Sequence, residues 1–407
     1  MMTAKRSEVL VVGAGIVGAA TAYELARRGV KVSVLEGHRP AWGASGRNPG
    51  FVWLHTRAAG VQMELGLAGR KLYDELTQEL EGFEFRESGG MTYFFEEQAE
   101  LFPAFVEERR TAGLPMELLD RSDARRACPI LPPHVAGATF NPLDAHINTE
   151  LLVRSLCAAA GRLGAEVVAD RTVTHLLAEG NRCLGAATSD GDLVADHVVV
   201  AAGVWSAALV EPFGLRIPIE AMRLQLVETE PLDLRFDPIL YGPTALKQYA
   251  FVKELPGYRG DLLTHPVEEV TSGIEVLELA AQRRDGRVLL GCPMDFPGLD
   301  DRATVAGLGL TLTVLADHLP ALRDVGVSRT WAGLLPQTPD ALPILGAAPG
   351  IEGLSLATGH VFGNLAGPIS GRLLAQMLVG EEPILDPAPF RPDRRSLQHA
   401  GSGLRRW

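Results

Sequence analysis

The sequence predicts an α/β fold in which a mainly parallel sheet is combined with a second domain of α+β type, built on an antiparallel sheet. Three observations predict this division. A strand, a glycine-rich turn, a helix and a second strand follow one another over residues 8–36, and another apolar strand at 197–203 ends in small residues. Residues 217–330, in contrast, lack the alternation of strands and helices that a parallel sheet requires.

Residues 8–36 carry the most specific local motif in the chain. The run at 8–12 is apolar, as in a strand buried on both faces, and glycines follow it in G-x-G-x-x-G spacing. The first glycine allows a tight turn, the second lets backbone approach a pyrophosphate, and the third lets the helix at 16–28 pack closely on the strand. The positive end of that helix would face the phosphates. The pattern therefore predicts a Rossmann-like dinucleotide site formed by Gly13, Gly15, Ile16, Val17 and Gly18.

An acidic residue closes this motif. The strand predicted at 30–35 ends at Glu36, which lies 21 residues after Gly15. At this spacing a carboxylate accepts hydrogen bonds from the hydroxyls of an adenosine ribose. Because a carboxylate repels a 2′-phosphate, NADP is disfavoured, whereas FAD and NAD both remain.

Small residues recur at three later points that we expect beside the same ligand. A second contact to the diphosphate or to a planar ring is expected from Ala44, Ser45, Arg47 and Asn48. The carboxyl end of the strand at 197–203, next to Trp205, is expected to meet the cofactor. Near the end of the chain, a strand at 353–358, a turn at 359–364 and a helix at 366–379 direct a second helix N-terminus at the site.

Composition disfavours several other classes of protein. A net charge of -12 and a pI near 5.4 oppose nucleic-acid binding, because phosphate backbones require a basic surface. The four cysteines contain no CxxC pair and the ten histidines no HExxH spacing, so no metal site is expected. No apolar run suggests a transmembrane segment, and the first strand starts too early to leave room for a signal peptide. We therefore expect a cytoplasmic protein.

Three separated segments resemble one known family. They read VVGAGIVGAATAYELARRGVKVSVLE, DHVVVAAGVWSAAL and TWAGLLPQTPDALPILGAAPGIEGLSLATGH. Together they are similar to the FAD-dependent D-amino-acid oxidase family, which includes glycine oxidase, sarcosine oxidase and D-amino-acid dehydrogenases. The resemblance covers nearly the whole chain and selects FAD over NAD; most members of the family bind FAD noncovalently, and for this chain both modes of binding remain open. It also implies an FAD-binding domain made of 1–82, 141–216 and 331–407, and a substrate domain made of 83–140 and 217–330.

The resemblance implies further contacts by position. Val173 would meet the adenine, and Ala202 and Gly203 the dinucleotide. The pyrimidine edge of the flavin would meet Gly359, His360, Gly363, Asn364, Leu365 and Ala366.

One position departs from the family pattern. Where glycine-oxidase-like members carry an arginine for the substrate carboxylate, this chain has Leu335. The carboxylate is then expected at Arg329, Lys247 or Arg57, unless the substrate has none.

The resemblance implies an FAD-dependent oxidoreductase that oxidises the CH–NH bond of an amine or amino acid, D-configured or N-substituted. Hydride passes to the flavin N5 atom and the imine is hydrolysed, so a side-chain base is not required. The protein must supply position, through apolar walls and a few polar anchors. Candidates for this substrate pocket are His55, Lys247, Tyr249, Trp331 and His360. The electrons then pass to O2 or to an acceptor partner.

Two alternatives use the same fold. One is an FAD-dependent 2-hydroxy-acid dehydrogenase, because hydride loss beside an oxygen needs the same flavin geometry. The other is the flavin subunit of a multi-subunit dehydrogenase. Fold alone does not separate these functions.

Overall fold

The computed structural model describes residues 7–269, 271 and 273–398, and its strands form two eight-stranded sheets and one short two-stranded ribbon. The strands are β1 (Ser7–Val12), β2 (Val32–Leu35), β3 (Phe51–Val52), β4 (Gly90–Phe94), β5 (Glu117–Asp120), β6 (Gly137–Asn141), β7 (Ala145–His146), β8 (Glu166–Val168), β9 (Val173–Glu179), β10 (Arg182–Thr188), β11 (Gly191–Val200), β12 (Glu220–Thr229), β13 (Ile239–Tyr241), β14 (Glu275–Gln282), β15 (Val288–Asp295), β16 (Val327–Gln337), β17 (Ile344–Ala347) and β18 (Leu354–Thr358).

Helices connect these strands and cover the sheets. They are α1 (Ile16–Arg27), α2 (Val61–Glu79), α3 (Leu101–Thr111), α4 (Arg121–Ala127), α5 (Thr149–Arg162), α6 (Ser206–Val210), α7 (Pro243–Leu246), α8 (Pro266–Glu269), α9 (Val305–His318), α10 (Gly363–Val379) and α11 (Arg395–Gln398). Short 3₁₀ turns at Ala44–Gly46 and Gly203–Trp205 follow β2 and β11.

The first sheet has the central order β17-β18-β11-β1-β2-β8, which is parallel except where β17 meets β18, and β10 and β9 extend it from β11 as an antiparallel hairpin. Its strands are apolar because both faces are covered. Val9 and Val11 face the core that includes α1, α5 and α10. Leu10 and Val12 point the other way and pack in the cluster that holds Leu176 and other residues of β9 and β10.

Two local expectations for this sheet are corrected by the structure. The strand expected at 30–35 begins only at Val32, and its polar residue Ser33 is buried, with its hydroxyl 2.6 Å from that of Ser7. Separate strands are expected at 193–195 and 197–203, but β11 is one continuous strand. Its first half pairs with β10 and its second half with β1, so one strand takes part in both the antiparallel hairpin and the central sheet.

The second sheet has the order β16-β12-β15-β14-β13-β4-β6-β5 and is antiparallel except for the β13–β4 pair. The alternating residues at 83–96, interrupted by a glycine pair, predict that the chain enters a second sheet here, and β4 belongs to that sheet. An amphipathic helix is expected at 97–113, and α3 forms within that range, with Phe102 and Phe105 buried in the core.

The two sheets meet where the cavity described below lies. The parallel strands β1, β11 and β18 end at the same edge, next to the N-termini of α1 and α10. From the second sheet, β16 passes beside the turns at 44–46 and 203–205. The approach is close, because a Cβ atom on Gly333 would lie 3.0 Å from Arg47. The proposed domain boundaries at 140/141 and 330/331 fall inside β6 and β16, and that division stays a prediction.

Candidate active site

A cavity of about 590 Å³ lies at the edge where the parallel strands end, and residues of the second sheet form its opposite wall. Most of the predicted cofactor residues line it. They are Gly13, Gly15, Ile16, Val17, Glu36, Ala44, Ser45, Asn48, Val173, Ala202, Gly203, Trp205, Gly359, His360, Gly363, Asn364 and Leu365. The structure thus brings together four segments that are far apart in the sequence.

Glycines let three backbones approach closely at the start of the cavity. Gly13 has φ +106°, and a Cβ atom there would lie 2.6 Å from the carbonyl oxygen of Ala201 at the end of β11. A Cβ atom on Gly18 would lie 1.9 Å from the carbonyl oxygen of Gly13. Gly18 therefore holds α1 against β1 and does not line the cavity. These are the geometric needs of a dinucleotide turn.

Glu36 is held in place by the same turn. Its Oε2 accepts a hydrogen bond from the backbone N–H of Ala14 at 2.9 Å, and its Oε1 accepts one from His38 at 3.0 Å. The carboxylate therefore sits at the end of β2 with its orientation set by backbone donors. It keeps lone pairs for ribose hydroxyls, since an ionised carboxylate accepts about four hydrogen bonds.

Two helix N-termini open toward the cavity. Neither α1 nor α10 has a side-chain cap or an acidic residue in its first turn. Ser45 Oγ accepts a hydrogen bond from the backbone N–H of Ile16 at 2.9 Å, which ties the small-residue loop to the start of α1. Unsatisfied backbone donors with a positive dipole end suit the phosphates and the electron-rich edge of a flavin dinucleotide. The residues present therefore fit FAD.

Two predicted contacts lie just outside this cavity. Arg47 stacks on the ring of Trp42, which does line it, at 4.5 Å, and pairs with Asp301. The Arg47 side chain faces a neighbouring cavity instead. Ala366 lies one residue beyond the lining segment of α10, in the wall of a small pocket behind it.

The second sheet and the segment at 51–53 contribute an apolar and aromatic wall. Phe51, Trp53 and Tyr241 form a cluster in which the Trp53 and Tyr241 rings are 4.2 Å apart. The remaining wall comes from neighbouring strands and is made of Leu224, Leu277, Leu279, Cys292 and Leu335. Such a surface positions a carbon skeleton and excludes water.

Arg57 is the one arginine or lysine of the cavity lining among the described residues. It is 1% exposed, and its guanidinium lies over the ring of Phe362 at 3.0 Å. Nη2 donates to Thr56 Oγ1, but Nε and Nη1 have no hydrogen-bond partner in the described part of the chain. Burial lowers the pKa of Arg57 to about 10, which still leaves it charged at neutral pH. Arg109 holds its backbone by donating to the Arg57 carbonyl.

Two predicted pocket residues stand directly behind the wall. His55 is fully buried, stacks on Trp53, and lies 3.0 Å from Asp144 Oδ2 and 2.7 Å from Thr139 Oγ1. Burial lowers its pKa despite the Asp144 carboxylate. The hydroxyl of Tyr249 lies 3.5 Å from that of Tyr241. Both residues therefore support lining side chains and do not line the cavity themselves.

Of the other three pocket candidates, one lines the cavity and two do not. His360 lines the cavity, burial lowers its pKa to about 3, and its Nε2 has no partner among the described residues. Lys247 lies outside the lining, where Nζ donates to both carboxylate oxygens of Glu268 at 2.6 Å. Trp331 lines the neighbouring cavity and not this one.

Sequence reasoning missed the aromatic wall. Trp53 follows a two-residue strand, and Tyr241 ends a three-residue strand that pairs in parallel with β4. Both strands are too short to show the alternation of apolar and polar residues that would have predicted this wall from the sequence. Arg57 was detectable as one of three possible cations, but only its lack of partners in the folded chain distinguishes it.

The fold and the cavity define a dinucleotide-binding α/β enzyme with an apolar reaction chamber between its two sheets. Comparison with known proteins identifies the family to which this enzyme belongs. A sequence model of the family described as FAD dependent oxidoreductase matches residues 8–377, and the chain belongs to this family. The predicted resemblance and the FAD cofactor are thereby confirmed.

Individual relatives agree. The chain is 31% identical to a glycine oxidase of Pseudomonas aeruginosa over 95% of this chain and 99% of that protein. The crystal structure of glycine oxidase from Geobacillus kaustophilus superposes with a TM-score of 0.82 at 25% identity, over 96% of this chain and 99% of that one. An iminodiacetate oxidase from Chelativorans gives 0.77 at 25% identity, over 94% and 98%.

These comparisons support FAD-dependent oxidation of an amine or amino acid, as the sequence predicts. They do not favour the hydroxy-acid or multi-subunit alternatives. In the part of the chain that the structure describes, no helix combines the length and apolar character needed to cross a bilayer.

Proposed function

We propose that the enzyme oxidises the CH–NH bond of an α-amino acid, D-configured or N-substituted, whose carboxylate binds Arg57. The observation that carries this proposal is the guanidinium itself, which is buried in the cavity wall with Nε and Nη1 unpartnered. Asp144 and Tyr249 favour the charged form only in part, and burial of a cation with unsatisfied donors is costly, so a bound anion supplies the acceptors that the protein does not. A carboxylate matches the planar fork of a guanidinium with two parallel hydrogen bonds.

The substitution at Leu335 supports the same arrangement. Leu335 and Arg57 line one cavity, on β16 and after β3 respectively. With a leucine where related enzymes are expected to carry the carboxylate-binding arginine, that part of the wall is apolar and suits the carbon skeleton of the substrate. The cation of this cavity is instead Arg57, which comes from a different segment of the chain and lies beside Phe362.

The reaction requires that the substrate be held in the correct position, and it does not require a side chain that acts as a base. FAD, when bound, accepts the hydride from the α-carbon. Among the described lining residues Glu36 is the only acid, and backbone N–H groups hold it at the nucleotide end. His360 is neutral at physiological pH because burial lowers its pKa to about 3, so it serves as a hydrogen-bonding group. The substrate ammonium must therefore release its proton to solvent first, and turnover is expected to rise with pH.

The acceptor and the location form a further part of the proposal. The names of the oxidase relatives favour O2 as acceptor, with a redox partner as the other possibility. A cytoplasmic location agrees with the four cysteines, which are all buried free thiols.

The test is anaerobic reduction of the FAD-loaded enzyme, followed as bleaching of the flavin absorbance. Glycine, sarcosine, iminodiacetate and D-alanine represent the proposed class, methylamine lacks the carboxylate, and lactate is the hydroxy-acid control. We expect at least one amino acid to bleach the flavin much faster than methylamine or lactate. Bleaching by lactate alone would contradict the proposal. Peroxide formed on readmission of air would identify O2 as the acceptor.

Arg57 variants test the anchor separately. Arg57→Met is expected to lower kcat/KM for the amino acid by about 100-fold, since it removes a charge-assisted pair of hydrogen bonds. Arg57→Lys retains the charge and should recover part of this loss. If Arg57→Met oxidises the amino acid like the wild type, the anchor is wrong, although the reaction class stands.

A further inference from the structure

A second cavity, of about 370 Å³, adjoins the cofactor cavity and shares with it the wall residues Ser45, Asn48 and Pro49. We call it the arginine cavity, because six arginines line it: Arg39, Arg47, Arg86, Arg283, Arg284 and Arg329. Such a concentration of cations is unexpected in a chain with a net charge of -12. Neither the reaction proposed above nor the FAD site uses it.

Four of the six guanidiniums are closely paired with carboxylates, and two of these four share one carboxylate. Arg39 binds Glu150 at 2.7 Å, Arg47 binds Asp301, and Arg329 binds Glu228 at 2.8 Å. In these pairs, a carboxylate of the protein neutralises the positive charge of the arginine.

Arg283, Arg86 and Arg284 are less well compensated. Arg283 lies 2.9 Å from Glu228, but it shares that carboxylate with Arg329, so one acid serves two cations. Arg86 donates to the Gln282 carbonyl and to His146 Nδ1, and the acids that act on it are Glu84, which also lines the cavity, and the exposed Asp237 at 3.9 Å. Arg284 has neither an ion pair nor a hydrogen bond within the described residues.

Two other lining residues, His146 and Trp331, lie next to these arginines. The pKa of His146, another lining residue, is lowered to about 3 by burial and by Arg86 and Arg283, so it stays neutral and adds no cation. The indole Nε1 of Trp331 is a buried donor without a partner among the described residues, and Arg329 stacks on its ring at 4.6 Å. The wall therefore offers unpaired charge and an unpaired neutral donor together.

We infer that the arginine cavity binds a small dianion, a dicarboxylate or a phosphate group, through Arg86, Arg283 and Arg284 with Trp331 as a neutral donor. Several guanidinium forks around one concave site suit oxyanions that accept two or more parallel hydrogen bonds. Its shared wall is the loop of Ser45 and Asn48, so a bound anion stiffens a segment that also contacts FAD. The site is separate from Arg57, which lines the cofactor cavity but does not line the arginine cavity.

The test is calorimetric titration of the FAD-loaded enzyme with malonate and with inorganic phosphate, at ionic strength held constant with sodium chloride. We expect saturable binding of one of them, about tenfold weaker in Arg284→Gln and weaker again when Arg86→Gln is added. Tighter malonate binding would identify a dicarboxylate site, and tighter phosphate binding a phosphate site. Arg284 is exposed, so its substitution should leave the fold intact.

Two controls locate the binding. Arg57→Met should bind the anion as the wild type does, which separates this site from the substrate carboxylate. Arg259→Gln removes an exposed arginine that is paired with Asp261 and lines neither cavity, and should also have no effect. Absence of saturable binding by both anions, or unchanged affinity in Arg284→Gln, would overturn the inference. Loss of binding in Arg57→Met alone would do the same, and would assign the anion to the substrate cavity.

Discussion

The side-chain amide of Asn364 donates to Oδ1 of Asn48 at 2.8 Å, across 316 positions of the chain. Thr149 Oγ1 lies 3.0 Å from the amide oxygens of both residues. The same Asn48 oxygen accepts from the backbone of Gly50 at 2.8 Å. This contact joins the loop that follows β2, the first turn of α5 and the first turn of α10. One amide pair therefore links three segments of the chain, and Asn48 and Asn364 both line the cofactor cavity.

Asn48→Ala is expected to weaken FAD binding. The change leaves the Asn364 amide and the Gly50 N–H without their acceptor, which costs about 1–3 kcal/mol and corresponds to roughly tenfold or more in affinity. The measurement is the dissociation constant of FAD from the apoprotein, by recovery of flavin fluorescence. Asn181→Ala, in the exposed turn between β9 and β10, is the matched control and should retain wild-type affinity. Equal affinities for both variants would mean that the amide pair is not needed.

Glu36→Gln is expected to weaken FAD binding by about tenfold. Backbone N–H groups of Ala14 and His38 each donate to one of the Glu36 carboxylate oxygens, so an amide must turn its NH2 group toward one of them. The turn loses one hydrogen bond and the ribose loses a charged acceptor. Flavin retention after gel filtration and the melting temperature of the apoprotein both report the change. A variant that retains flavin as the wild type does would contradict this account.

Arg57→Met is expected to stabilise the substrate-free enzyme while it impairs catalysis. The methionine retains packing against Phe362 and removes a buried cation whose Nε and Nη1 lack partners. Replacement of such a group by an apolar side chain is commonly stabilising, and we expect the melting temperature to rise by about 2 °C. Thermal unfolding of the two FAD-loaded proteins, followed by circular dichroism, measures this. A large fall in melting temperature would show that the protein itself compensates the charge.

His146→Gln is expected to reduce the loss of stability in acid. Burial and nearby arginines lower the pKa of His146 to about 3 in the folded state, against about 6.5 in an unfolded chain. The unfolded state therefore binds the proton first. The stability from the neutral imidazole is present above pH 6.5 and is lost as pH falls toward 3, at up to about 1.4 kcal/mol per pH unit.

Glutamine retains a donor for the Pro49 carbonyl, which His146 Nε2 contacts at 3.0 Å, and it does not titrate. Urea unfolding of the FAD-loaded enzyme between pH 7 and pH 5 gives the slopes. The variant should show a shallower slope than the wild type. Identical slopes would mean that His146 is protonated as easily in the folded protein as in the unfolded chain.

Local sequence signals accounted for the nucleotide half of the cavity. Gly13, Gly15 and Glu36 belong to one continuous segment, and the structure places all three in the cavity lining. The fold class was predictable for a related reason, since apolar runs and glycine turns distinguish a buried parallel strand from an antiparallel one. The continuity of β11 was not, because its bend from one sheet into the other depends on partners elsewhere in the chain.

The substrate half could not be assigned in the same way. Lys247 had chemistry in its favour, but Glu268 pairs with it away from the cavity. Trp331 was expected beside the flavin, yet β16 turns it toward the arginine cavity. Whether a given cation or indole faces a cavity depends on the strand register and on neighbours from distant segments. No local period encodes those contacts.

By itself, the sequence predicted that this chain binds a dinucleotide, because the turn, the helix and the terminal acid are consecutive. Three separated segments then indicated that it belongs with flavin-dependent oxidoreductases. Only the tertiary structure decided which residues surround the place where substrate reacts. Arg57, Tyr241 and Leu335 come from segments separated by up to 278 positions, and the packing of two sheets brings them into one wall. The physical reason is that local backbone preferences act over a few residues, whereas the environment of a buried charge is set by everything that folds around it.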